Sequence, residues 1–349
     1  MPPWGLFLTV QTPHLPRGFT TMLHHLLMAT ALAQPPSVQV DLHLDTPTQL
    51  LGRGLSMESG RGLEAGLPQL RQGGTNVAVE VLWPPRKSEH RSVAYALLDK
   101  VQAQIDQSDG LELATTPARA REIVATEKVA VVISMEGAHG LGQDGKWRET
   151  FLDFYSRGLR LIGLTWSFSN RFAGSSGDAG GGLTPEGVEL VAMARARGVV
   201  LDVSHASRKT TLEVCQGAPV PVIASHSDAW ALTKHARNLT DEEIRCIADS
   251  GGVIGLNFHA PFVGPGADVS RVADHADHLA KVGGYSVVAL GSDFDGFIKK
   301  PIGLEHAGRL PALWVELRRR GWTDAQIEGI RGENFMRAWS RVQRAAQAP

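Results

Sequence analysis

The sequence predicts an α/β protein built as a (β/α)8 barrel, on three observations. Eight short apolar runs recur along the chain, separated mainly by stretches with helical periodicity. Runs that are apolar on both faces mark strands of a parallel sheet covered by helices. The runs also end in polar residues, and the C-terminal rim of an α/β barrel is where such residues gather. Finally, 349 residues suit an α/β barrel used as one domain. The alternative, an open doubly wound sheet, lacks its Gly-x-Gly-x-x-Gly turn after the first strand.

The first strand, Val38-Gln39-Val40-Asp41-Leu42-His43-Leu44-Asp45, alternates. Val38, Val40, Leu42 and Leu44 share one face, and Asp41, His43 and Asp45 the other. An imidazole and a carboxylate two residues apart on one face can grip a divalent cation. A Gly-rich segment, 51–74, leads to the second strand, 76–83, which Pro84-Pro85 ends. Helical periodicity follows at 88–106 and 117–125. The third strand, 129–137, closes on Glu136. A helix at 150–157 precedes the fourth, 159–166. The Gly/Ser-rich loop 169–182 has no Gly-Lys-Ser/Thr ending and is not read as a phosphate cradle. Thr184-Pro185-Glu186 opens a helix, with Thr as cap and Pro at the first position, and Gly198 ends it. The remaining strands are 199–205, 220–226, 253–259 and 287–293, with helices at 241–250 and 269–282. The end is helical at 310–320, 323–330 and 332–345.

Composition narrows the function. The chain is 43% hydrophobic and 20% charged, with formal net charge −1. That is a globular composition, and without a basic run nucleic acid is not expected as a partner. Cys215 and Cys246 stand far apart, in no C-x-x-C pair, and predict neither a disulfide framework nor a zinc knuckle. No stretch is long and apolar enough to span a bilayer. Residues 1–35 read as a leader or a disordered N-terminus: 22–33 is mostly apolar, and Ala31-Leu32-Ala33 fits a signal-peptidase site, but His24 and His25 interrupt the run and basic residues before it are sparse. Residues 36–349 read as a single barrel domain. Export follows if the leader is cleaved; otherwise a cytoplasmic location does.

At the predicted strand ends stand His43, Asp45, Glu136, His205, His226, His259 and Asp293. Singly, each is as well explained by packing or capping. Together they point to a metal site. Five N/O ligands exceed what a single catalytic ion with open positions needs, and they suit two ions sharing a bridging carboxylate.

The chain resembles the membrane dipeptidase (renal dipeptidase) family, the M19 metallopeptidases of the amidohydrolase superfamily. The residues that carry the likeness are Asp41-Leu42-His43-Leu44-Asp45, Met135-Glu136-Gly137, Leu201-Asp202-Val203-Ser204-His205 and Ala224-Ser225-His226-Ser227. They continue in Ala236-Arg237-Asn238-Leu239-Thr240-Asp241, Asn257-Phe258 and Gly291-Ser292-Asp293-Phe294-Asp295-Gly296. The resemblance implies a barrel of the metal-dependent hydrolase type with two divalent ions, most often Zn2+. His43 and Asp45 would bind one, His205 and His226 the other, with Glu136 bridging. A bridging hydroxide would attack a dipeptide carbonyl, Asp293 would move the proton to the leaving amine, and Arg237 would hold the free C-terminal carboxylate. Asp295 is expected as a supporting residue or loop cap, and His275 and His278 as structural. A homodimer is the family expectation, without covalent linkage.

Two departures bear on substrate binding. Many family members carry a His where this chain has Trp166, and the renal type carries a Tyr where it has His259. Indole donates one hydrogen bond and accepts none. The sequence therefore reads as a zinc dipeptidase. Its alternatives are hydrolysis of another small amide, such as an N-acyl amino acid or a β-lactam, or a catalytically silent metal-binding protein.

Overall fold

A computed structural model of the protein describes residues 37–178 and 180–347, with Met1 and Gly5. The chain divides into Met1–Pro36 and Ser37–Pro349. The predicted leader lies, those two residues apart, outside the described residues.

Within 37–347 the strands are β1 (Val40–Leu44), β2 (Val77–Leu82), β3 (Leu111–Leu113), β4 (Val129–Met135), β5 (Leu159–Gly163), β6 (Val200–Asp202), β7 (Val222–Ile223), β8 (Ile254–Leu256) and β9 (Val288–Leu290). All neighbours pair in parallel, in the order β1-β2-β4-β5-β6-β7 and β8-β9. Parallel bridges close the circle, Ala224 with Ile254 and Leu44 with Phe294. The Asp45 amide donates to the Phe294 carbonyl at 2.9 Å, and the Asp293 amide to the His43 carbonyl at 3.0 Å. The eight predicted strands are the eight of this barrel.

β3 was not foreseen. It pairs with the first residues of β4, Val129 to Val131, and β5 begins pairing only at Ile133. A three-residue strand fills the edge that β5 leaves bare, and nothing in Leu111-Glu112-Leu113 alone signals that. The helices Thr46–Arg53 and Leu67–Gly73 were also unread, because Gly52, Gly54 and Gly66 dilute their apolar spacing. The observed strands are shorter than predicted at their C-terminal ends. His205 and His226 stand beyond β6 and β7, on the rim.

Both faces of β1 are buried, and Leu44, predicted on the face of Val38, Val40 and Leu42, instead packs in the other core cluster after a register shift against β2. Val38, Val40 and Leu42 share a buried cluster with Phe335, Met336 and Trp339 of the C-terminal helix Asn334–Gln347. Asp41 and His43, on the other face, are buried as well. Gly255 and Gly291 let β8 and β9 close against β7: a Cβ on either would come within 2 Å of the Ser225 carbonyl oxygen. Thr184 caps its helix as expected, its side chain accepting from the Gly187 amide.

One expectation is overturned. Cys215 and Cys246 form a disulfide, with Cα atoms 5.8 Å apart. The bond ties the end of helix Arg208–Cys215 to helix Asp241–Ser250. The two helices follow successive strands and so lie side by side, a proximity that a separation of 31 residues does not reveal. Closing a loop of this length restricts the unfolded chain by about 3–4 kcal/mol. Replacing both cysteines by Ser is expected to lower unfolding free energy by roughly that amount in urea titration. A loss under about 1 kcal/mol would show that the bond adds little to stability.

Glu80 of β2 is fully buried with neither carboxylate oxygen partnered. Burial, and then the charges of Asp295, Asp41 and Asp45, hold its pKa well above the ordinary range. A folded-state pKa raised above the unfolded value gives stability at low pH that is lost as pH rises. The Glu80→Gln variant, neutral throughout, is expected to gain in melting temperature over the parent between pH 5 and pH 8. Parallel melting curves across that range would contradict it.

Candidate active site

Glu136, directly after β4, is the centre of a ring of ligating groups at the C-terminal rim. Its Oε1 lies 2.8 Å from His205 Nε2, 3.4 Å from His226 Nε2 and 3.7 Å from His43 Nε2. His43 Nε2 is also 3.7 Å from Asp45 Oδ2. The ligand atoms fall into two sets that close to within 4.8 Å: His43, Glu136 and His226, and His43, Asp45 and Asp293. All five predicted metal ligands and Asp293 are therefore brought together. All six are buried.

Supporting hydrogen bonds fix which imidazole nitrogen faces inward. Ser225 Oγ donates to Asp202 Oδ2 at 2.5 Å. It is then an acceptor for His226 Nδ1, 2.8 Å away. Ser167 Oγ stands 3.2 Å from His205 Nδ1. With Nδ1 hydrogen-bonded, each Nε2 is left to ligate. Burial, together with the positive charges of Arg237 and His43, keeps both imidazoles well below the usual histidine range, hence neutral. Asp202 and Ser225 were part of the sequence motifs but had no role assigned. Their function lies in contacts across β6 and β7 that the spacing does not show.

The donor set fits divalent metal. His205 Nε2 and His226 Nε2 stand 3.1 Å apart. That separation suits two ligands on one ion at about 2.0–2.1 Å each. Buried His43 Nε2 and Asp45 Oδ1 have no hydrogen-bond partner among the described residues, and buried polar groups are seldom left so without a ligand. Gly296 keeps the space open: a Cβ there would lie 2.5 Å from Asp45 Oδ2 and 2.7 Å from Asp293 Oδ1.

Asp293 receives a hydrogen bond from Asn257 Nδ2 at 3.0 Å. Burial, and next the charge of Asp45, push its carboxyl up to about 7, against the pull of His43 and Asn257. His205 and Asp293 have φ of +64° and +66°. Left-handed backbone at non-glycine residues is strained and clusters at functional sites.

The cluster floors a cavity of about 270 Å³ lined by Trp83, Trp166, Ser167, His259, Phe262 and the segment 296–298, with Asp45, Thr48, Glu136, His205 and Asp293. Trp166 and His259 thus stand at the site. Arg237 does not line this cavity. It is buried, donating to the His226 carbonyl at 3.0 Å, and lines a second cavity of about 160 Å³. His205 borders both. Trp83 and Phe262 were not foreseen. Trp83 ends an apolar strand and reads there as core.

The remaining expectations concern supporting residues. Asp295 accepts from the Glu64 amide at 2.8 Å and from Thr46 Oγ1 at 2.9 Å, a loop anchor. His275 accepts from the Ala229 amide at 3.0 Å, and His278 pairs with Asp241 at 2.8 Å. Both are structural.

The family model described as membrane dipeptidase (peptidase family M19) matches residues 29–349. An uncharacterized dipeptidase of Schizosaccharomyces pombe is 35% identical over 229 residues, 63% of this chain but only 54% of that protein. The chain thus matches about half the length of this curated relative. A metallo peptidase from Rhodobacter sphaeroides, solved with a phosphinate mimic of the dipeptide L-Ala-D-Ala, superposes with a TM-score of 0.79 at 27% identity, covering 87% of this chain and 99% of that one. The M19 dipeptidase AC superposes with a TM-score of 0.80 at 29% identity, covering 88% and 98%. The chain belongs to the membrane dipeptidase family, the M19 metallopeptidases.

Proposed function

We propose that the protein is a zinc-dependent dipeptidase that hydrolyses dipeptides with a free C-terminal carboxylate. The observation that carries this reading is the convergence of three imidazoles on Glu136, with Asp45 and Asp293 beside them, at the floor of a small cavity. His43 and Asp45 would hold one ion and His205 and His226 a second, with Glu136 shared. Zinc bound there supplies Lewis acidity and acidifies a bound water. Imidazole and carboxylate ligands also accept cobalt or manganese.

This chain's own residues supply the rest. Asp293 accepts the proton of the attacking water and passes it to the leaving amine; a carboxyl raised towards neutrality suits both tasks. Asn257 holds one Asp293 oxygen and leaves the other free to act. Arg237 reads the substrate carboxylate from the second cavity, a task suited to guanidinium. The likeness to the Rhodobacter enzyme, solved with a dipeptide mimic, supports the substrate class.

The test is amine release from a panel of L,L- and L,D-dipeptides by the zinc-reconstituted protein, with a chelated control. Metal-dependent cleavage of dipeptides, and none of their C-terminal amides or tripeptides, is the expected result. One observation favours a second reading, hydrolysis of another small amide: Arg237 does not line the main cavity. Cleavage of N-acyl amino acids or β-lactams, with dipeptides untouched, would select it.

A further inference from the structure

We infer that Trp83 and Trp166 form a specificity wall that selects dipeptides whose N-terminal residue carries an apolar side chain of leucine to phenylalanine size. The inference rests on the dipeptidase reading and deepens it.

Trp83 follows β2 and Trp166 follows β5, and their rings meet edge to face, 5.0 Å between centroids at 60°. Phe168 backs Trp166 at 5.9 Å and 84°, and itself packs 4.8 Å from the buried His139. His139 is held in turn, its Nε2 2.9 Å from the Pro84 carbonyl. The wall is thus braced from behind rather than free to swing. Both indoles are only half-buried, so each keeps a face for a ligand. Phe262, Phe297 and Ile298 line the same cavity.

Topology places the wall at the N-terminal side of the substrate. In the closed order β1-β2-β4-β5-β6-β7-β8-β9, β2 lies across the barrel from β7. Arg237 belongs to the loop after β7 and lines the second cavity. A dipeptide with its carboxylate there and its carbonyl at the ligand cluster would direct its first residue across the barrel to Trp83, whose ring Trp166 meets edge to face.

The charges decide the class. Among the described residues no Lys or Arg lines the main cavity, and its carboxylates are Asp45, Glu136 and Asp293. An acidic side chain would find no cation beside it. An apolar one would exchange water for two aromatic faces, which raises binding by about ten- to hundredfold over glycine for a leucine- or phenylalanine-sized group. A lysine ammonium could lie over an indole, and the test includes it.

The experiment measures kcat/KM of the zinc-loaded enzyme for Gly-Ala, Ala-Ala, Leu-Ala, Phe-Ala, Lys-Ala and Glu-Ala, and for Ala-Gly, Ala-Leu and Ala-Phe. Leu-Ala and Phe-Ala are expected to exceed Gly-Ala by about ten- to hundredfold. Trp83→Ala and Trp166→Ala should collapse that ratio, whereas Trp83→Phe should retain most of it. A flat profile at the first residue, selection only at the second, or a preference for Lys-Ala would overturn the inference and leave the dipeptidase reading standing. Absence of cleavage across the whole panel would overturn both.

Discussion

The Asp293→Asn variant is expected to keep its metal and lose turnover by about 10²- to 10⁴-fold, the range of a lost proton-transfer group. Asn matches Asp in shape, so the left-handed backbone at φ +66° and the cavity outline should survive. Among side chains, Asn tolerates that conformation well. What the amide cannot do is accept a proton from water and return it to the amine. The measurement pairs kcat for a cleaved dipeptide with metal content by elemental analysis. Turnover within about threefold of the parent, with metal bound, would remove Asp293 from the proposed chemistry. Loss of metal together with activity would instead identify Asp293 as a ligand, consistent with its place in the His43, Asp45 and Asp293 set.

Replacing Glu136 by Gln should have a larger effect, because one oxygen of Glu136 lies within 3.7 Å of three imidazole nitrogens. If Glu136 bridges two ions, both should be lost on dialysis, and affinity should fall by more than the ~100-fold that outer-shell changes cost. Asp45→Asn, by contrast, should lose one ion and keep the other on His205 and His226. The pair of stoichiometries is informative: two ions retained in Glu136→Gln would rule out bridging, and one lost from each variant would mean that each carboxylate serves its own ion. Thermal unfolding of the metal-free parent beside each variant separates ligand loss from misfolding. Removal of the negative charge relieves burial cost at Glu136, whose carboxyl is driven well above its ordinary range chiefly by burial. The variant should therefore fold at least as well as the metal-free parent.

The positions of the candidate ligands were legible because chemistry and local pattern coincide in them. A β-strand alternates every residue, so Val38, Val40 and Leu42 share one face of β1 and Asp41 and His43 the other; the pattern stops at Leu44, which follows a register shift against β2 and packs in the other core cluster. In a parallel barrel every strand runs the same way, so polar residues at successive strand ends had to collect on one rim. His43, Asp45, Glu136, His205, His226 and Asp293 are all found by that argument, and Asp295, His275 and His278 take the supporting places expected of them.

Other features have no local signature. The Cys215–Cys246 bond depends on two helices that lie side by side only because their strands do, so a separation of 31 residues gave no hint of it. β3 forms because β5 leaves part of β4 unpaired. Ser225 and Asp202 orient imidazoles through bonds across neighbouring strands. Trp83 closes an apolar run like any core residue, and it becomes a wall of the cavity only when β2 and β5 set it beside Trp166. Arg237 was expected at the substrate carboxylate; the loop after β7 sets it against the His226 carbonyl, lining a second cavity that His205 also borders. Period-two alternation and strand direction are properties of consecutive residues and can be read along the chain. Partners, cavities and the disulfide are set by residues distant in sequence, whose meeting depends on how the barrel closes.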